Sequence, residues 1–162
     1  KASGVFSKVV LNSDRAIFER IAEEYECEFY LRPEFLGGSS IKSDDVVLDF
    51  IIHYGGDIVV WVNPISPLQT AQEIKDVVSY FQKNNFDSLI TVKNEQVHCV
   101  LDQKPLNFSF EGKFMQTQDL IPVQSFVYSL MIWKTRTFLN SMKLNIFHSD
   151  HYLFRNDKSM LH

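Results

Sequence analysis

The sequence predicts an α/β fold: a three-layer nucleotide-binding domain with helices on both faces of a mostly parallel sheet. Three observations carry this. Over the first 92 residues, short apolar runs alternate with segments whose apolar residues recur at helical spacing, the pattern of βαβ units. Ile58 to Val62 is continuously apolar, as a strand buried on both faces must be. The runs around residues 10 and 60 end in polar turns, Asn12-Ser13-Asp14 and Asn63-Pro64-Ile65-Ser66-Pro67.

The elements follow in order. Val9 to Leu11 is a β-branched run, and Ala16, Ile17, Ile21 and Ala22 then recur at helical spacing behind Ser13 or Asp14 as cap. Glu26 to Leu31 reads as a second strand, stopped by Arg32-Pro33. After the flexible Gly37-Gly38-Ser39-Ser40, Ser43 can cap a helix with Val46, Val47, Phe50 and Ile51 on one face. Thr70-Ala71-Gln72-Glu73 fits a capping box ahead of the stripe Ile74, Val77, Val78 and Phe81. Ser88 to Val92 and His98 to Leu101 read as strands, with a turn at Asp102-Gln103. Phe126 to Trp133 reads as an aromatic-rich strand, Thr135 to Met142 as a short helix, and Asn145 to Phe147 as a late strand.

Composition limits the function. The chain has 162 residues, the size of one domain, and 16 Lys+Arg against 20 Asp+Glu give a net charge of −4. Without a basic excess, nucleic acid and a polybasic membrane anchor are not expected partners. Cys27 and Cys99 form no C-x-x-C and read as reduced, packed thiols. No apolar run has the length of a membrane span and no signal-peptide core is visible, so the expected location is cytoplasmic.

In α/β sheets ligands bind beyond the carboxyl ends of the strands. That directs attention to Asn12-Ser13-Asp14 and to Asn63–Gln69, where Pro64 and Pro67 stiffen a turn just before a helix N-terminus. Amides and the helix dipole there favour anions such as phosphate. Ordinary βα turns rich in caps give the same sequence. No G-x-S-x-G, G-x-G-x-x-G or Cys–His nucleophile pattern is present. His148-Ser149-Asp150-His151 reads as a surface turn, with a metal site as the lesser alternative. His53 reads as the end of a helix beside Tyr54-Gly55-Gly56, and His98 as strand surface.

The segment Asn63 to Thr70, N-P-I-S-P-L-Q-T, resembles the Q-P-T-S-P-L-R-T loop of the acylneuraminate cytidylyltransferases, the CMP-sialic acid synthetases and their relatives. Other segments agree in order: V-V-L-N-S-D at Val9–Asp14 with V-x-V-S-T-D, and Arg32-Pro33 with Leu36 with R-P-x-x-L. Asp45-Val46 is similar to the D-V that opens the next helix. D-S-L-I-T-V at Asp87–Val92 resembles D-S-x-x-x-V, and Q-D-L-I-P-V at Gln118–Val123 resembles Q-D-L-P-P-V.

The resemblance implies transfer of CMP from CTP to the anomeric hydroxyl of a 2-keto sugar acid, with loss of pyrophosphate and a requirement for Mg2+. It implies nucleotide contacts at Asn12, Ser13, Arg32, Asn63 and Ser66. It places Gln69 and Gln118 on the sugar-acid side, and it implies a homodimer. Phe126 to Trp133 then reads equally as core strand or as dimer contact. The family's Gly-rich A-R-x-G-S-K loop and its Asp-x-Asp metal motif have no counterpart in these residues, so no catalytic residue and no metal ligand is identified. Gln69 stands where the family has Arg, Asn63 where it has Gln, and Val127-Tyr128-Ser129 replaces N-G-A-x-Y. The expectation is a single domain incomplete at both ends, whose residues 1–162 alone bind CTP weakly without turnover. The alternative is a degenerate relative that serves as a binding or scaffold module.

Overall fold

A computed structural model describes residues 1–141 and the backbone of residues 151–155. The elements run β1 (Val10–Ser13), α1 (Glu19–Glu24), β2 (Glu28–Leu31), α2 (Ser43–Tyr54), β3 (Ile58–Val62), α3 (Ala71–Lys83) and β4 (Ser88–Glu95). They continue with β5 (Val100–Leu101), β6 (Lys104–Pro105), β7 (Val123–Lys134), α4 (Thr135–Ser141) and β8 (His151–Arg155). The expected late strand at Asn145–Phe147 and the side chains of the His148–His151 segment lie outside the described residues.

The three layers are present, built by the period-2 alternation of the strands. On one face Val59, Ile90, Met131 and Trp133 pack with Val47 and Ile51 of α2 and with Phe138 of α4. On the other, Leu89, Leu130 and Ile132 pack with Val77, Val78 and Phe81 of α3. Leu89 and Ile90 are both fully buried, one in each cluster. A strand clothed on both sides has no reason to alternate in polarity, which is why this run and Ile58–Val62 are apolar throughout.

The sheet corrects the expectation of mostly parallel pairing. β1 and β2 form a parallel pair, but the main sheet has the order β3-β7-β4-β8, with β7 antiparallel to both β3 and β4 and only β4–β8 parallel. The fold is mixed α/β. β3 and β4 run in one direction without touching, because β7 returns through the excursion at residues 96–122 and inserts between them. A buried apolar run reads the same in either direction, so the sequence of β7 carries no sign of its orientation. Leu130 to Trp133 are at most 5% exposed, so this stretch is core and offers no dimer contact.

β7 is irregular where it passes Thr91. Ile90 pairs with Met131 and Val92 with Phe126, so Thr91 faces four residues, Val127 to Leu130. The Thr91 hydroxyl closes the gap: it accepts from the Leu130 N–H (3.2 Å) and lies 2.8 Å from the Ser129 Oγ. Thr91 and Ser129 are both fully buried. Thr91→Val keeps the shape but strands the Ser129 hydroxyl and the Leu130 N–H. It is expected to lower stability by about 1–3 kcal/mol, read as a fall in denaturation midpoint at unchanged m.

Helix starts follow local chemistry. Thr70 caps α3 as expected: its Oγ1 accepts from the Glu73 N–H (3.2 Å), and the Glu73 carboxylate accepts from the Thr70 N–H (2.8 Å). At α2 the cap differs from expectation, since Asp45 and not Ser43 closes the turn, accepting from the Lys42 N–H (3.3 Å). Ser13 caps no helix side-chain-first either; its Oγ accepts from the Arg15 N–H (3.1 Å) at the turn into a short 3-10 segment.

α2 also holds the β1–β2 pair. Tyr30 of β2 donates to the Asp49 carboxylate (3.0 Å) and stacks on His53, with ring centroids 4.4 Å apart. Burial, aided by the Asp49 bond, raises the Tyr30 phenol above its ordinary value of 10.0. A raised value means that this contact contributes its full share below pH 10 and loses it as pH climbs through the raised pKa. Alkaline titration at 295 nm is expected to show one tyrosine ionising late, and Asp49→Asn to bring it down.

Candidate functional site

Two loops meet the expected description. The first is formed where β1 and β2 end. The parallel register sets Ser13 beside Leu31, and the Arg32 N–H donates to the Ser13 carbonyl (2.8 Å). The Arg32 guanidinium then reaches across both strand ends, from Nη1 to the Asn12 Oδ1 (3.3 Å) and from Nη2 to the Asp14 Oδ1 (3.3 Å). The Arg32 and Asp14 side chains are 16% and 28% exposed, so the pair is partly shielded from water. Gly37 backs onto it: a Cβ there would collide with the Asp14 carboxylate. The backbone of the Glu34–Gly37 turn thus presses Asp14 toward Arg32. Asn12, Ser13 and Arg32 are brought together as expected, and the Arg32 Nε is buried without a hydrogen-bond partner among the described residues. A buried, uncommitted donor is costly unless an acceptor reaches it.

The second loop follows β3. The Asn63 Oδ1 accepts from the Ile65 N–H (3.3 Å), its carbonyl from the Ser66 N–H (3.3 Å), and the Ser66 carbonyl from the Gln69 N–H (3.2 Å). These are two consecutive turns, each with a proline just inside it, so Asn63, Ser66 and Gln69 share one stiff backbone. The Gln69 side-chain amide is enclosed, and neither its oxygen nor its nitrogen has a partner among the described residues. The Asn63 N–H donates to the Ser129 carbonyl (2.9 Å), tying the loop to the irregular stretch of β7. One residue earlier, Tyr128 takes a left-handed backbone with φ of 56° and is 41% exposed. For a bulky residue that conformation costs about 1–2 kcal/mol.

Gln118 is not drawn into either loop. It lies in a 3-10 turn (Thr117–Asp119) of the excursion, where its carbonyl accepts from Gln96 Nε2 (2.9 Å) and its own amide donates to Gln116 Oε1. The excursion carries the β5–β6 hairpin, whose turn residues Asp102 and Gln103 have φ of 47° and 65°. His98 is no strand-surface residue: its Nε2 lies 3.0 Å from the Met115 carbonyl and its ring stacks on Phe114. Phe110, Phe114 and Ile121 nearby are each more than two-thirds exposed.

The residues fit no magnesium site: among those described, no group of three or more His, Cys, Asp and Glu is placed to hold a cation. A depression of about 350 Å³ lined by Gly56, Asp57, Thr135, Arg136, Leu139 and Asn140 lies at the amino end of β3, away from the Asn63 loop. Among the described residues no helix is long and apolar enough to cross a membrane.

Sequence reasoning missed Asp14 as the partner of Arg32, Gly37 as its backing, and Tyr128 with Ser129. Gly37 in a Gly-Gly-Ser-Ser run reads as a flexible loop, and only the packing shows a close approach. Tyr128 has no sequence signal, since aromatic residues disfavour positive φ.

No family model and no curated protein matches this sequence. Solved structures do. The chain is similar to CMP:2-keto-3-deoxy-manno-octonic acid synthetase, solved in complex with CTP, at 6% identity and a TM-score of 0.68, over 95% of this chain and 74% of that one. It is also similar to the bifunctional IspDF from Campylobacter jejuni, at 11% identity and a TM-score of 0.61, over 98% of this chain. It spans 40% of the length of that bifunctional chain. At these identities the likeness establishes a shared α/β fold.

Proposed function

We propose that this chain carries the nucleotide and acceptor loops of a CTP-dependent nucleotidyltransferase, which transfers CMP to a 2-keto sugar acid of the sialic acid type. The anomeric hydroxyl attacks the α-phosphorus of CTP, the bond to the β-phosphate oxygen breaks, and pyrophosphate leaves. The observation that carries this reading is the overlap of 95% of the chain with a CMP-sugar-acid synthetase solved with CTP. The N-P-I-S-P-L-Q-T loop, set at the end of the central β3, agrees with it.

In this reading Arg32, steered by Asn12 and Asp14, gives its free Nε–H to an anionic oxygen of the nucleotide, and Ser13 shapes the turn beneath it. Asn63 and Ser66 hold the nucleotide on the second loop, where rigid positioning lowers the entropic barrier to in-line attack. Gln69 offers its enclosed amide to the acceptor, and Gln118 approaches it from the excursion. Magnesium, where bound, would neutralise charge on the phosphates. The same reading takes the protein as a homodimer, and the exposed Phe110, Phe114 and Ile121 support an association through the excursion. Sedimentation that stays monomeric at all concentrations contradicts that part.

The test is pyrophosphate release from CTP, with and without magnesium, by this chain extended by whatever its gene encodes on either side. Sialic, 3-deoxy-manno-octulosonic, pseudaminic and legionaminic acids are offered in turn. Release with one of them is the expected result. A folded protein silent across the panel contradicts the enzyme reading and favours a binding module.

A further inference from the structure

We propose that Tyr128 is the residue that recognises the ring of the acceptor, offering its aromatic face to a polyhydroxylated ring held beside the Asn63–Gln69 loop. The inference rests on the sugar-acid reading above and adds to it a residue that no motif marks. Four observations converge on it. Tyr128 holds a positive φ of 56° that bulky residues avoid. Such conformations persist only where the surroundings fix them. Here they do: Thr91 and Ser129, both fully buried, bond at 2.8 Å, and Thr91 also accepts from the Leu130 N–H. This polar pair replaces the interrupted ladder between β4 and β7 and turns Tyr128 out of the sheet.

The next residue ties the site together, since the Ser129 carbonyl takes the Asn63 N–H at 2.9 Å. Tyr128 is therefore fixed one residue from the second loop. It remains 41% exposed, with only Phe126 in edge contact at 5.8 Å between centroids. A core aromatic would be covered, and a surface turn would use Gly or Asn at this φ. An exposed ring in a strained turn, next to the unpartnered Gln69 amide, suits a ligand with C–H bonds on one face and hydroxyls at its rim.

The experiment titrates the chain, with ring-labelled tyrosines observed by NMR, with N-acetylneuraminic acid and with 3-deoxy-manno-octulosonic acid, each with and without CTP. The Tyr128 ring signals are expected to shift on addition of one sugar acid. Tyr128→Phe keeps the face and is expected to hold affinity within about twofold. Tyr128→Gly accepts the positive φ and loses the face, so affinity is expected to fall about tenfold while Tm stays within about 3 °C of the parent. Unchanged affinity in Tyr128→Gly, or a Tm that falls further along with the affinity, makes the ring a packing element and overturns the proposal. CTP signals that move without any sugar-acid effect overturn it too, and leave the cytidylyl reading standing. Silence toward both ligands contradicts both.

Discussion

Trp133→Ala is expected to lower the unfolding free energy by about 3–5 kcal/mol, a large part of the 5–15 kcal/mol that holds a domain of this size. Trp133 is fully buried on β7. It pairs with Val59 of β3 on one side and with Ser88 of β4 on the other, and meets Phe138 of α4 edge-on at 6.4 Å. The strand that carries it joins β3 to β4, which do not touch each other. The cavity left by the indole would open under α2 and α4 together, and neither helix can close it without leaving the sheet. Urea unfolding reads the loss directly. Ile52→Ala, 74% exposed on α2, is expected to cost no more than about 0.5 kcal/mol and serves as the control.

Arg32→Ala is expected to act on stability and on nucleotide binding together. It removes the donors that Asn12 and Asp14 now engage and leaves a partly buried carboxylate facing nothing, at a cost of about 1–3 kcal/mol. In the proposed reading it also removes the uncommitted Nε–H, and CTP affinity falls by at least about tenfold. Arg32→Lys is not expected to restore either, because an ammonium cannot reach both strand ends as the planar fork does. Gly37→Ala supplies an independent route to the same loss, since its Cβ would displace the Asp14 carboxylate. Denaturation and CTP titration of the three variants check both effects.

How far the sequence was legible depended on whether a feature is local. The cap at Thr70 and Glu73, the turn at Asp102-Gln103 and the buried run at Ile58–Val62 are written in contiguous residues, and the structure has each of them. The three layers were legible too, because periodicity reports which faces are covered. Strand direction was not, because β7 is buried on both faces and its apolar run has no polarity pattern to read. The bulge opposite Thr91 was equally hidden: it depends on a hydroxyl 38 residues from its partner. For the candidate site, the two polar loops were found from their place after apolar runs. The Arg32–Asp14 pair was not, because Asp14 in a turn reads first as a cap, and its true partner lies 18 residues on.

The most direct test of the central claim is a CTP titration of this chain followed by amide NMR. The account expects weak binding with shifts concentrated at Asn12, Ser13, Arg32, Asn63 and Ser66. Shifts confined to the depression around Gly56, Asp57 and Arg136, or no shifts at saturating CTP in a folded chain, would contradict it.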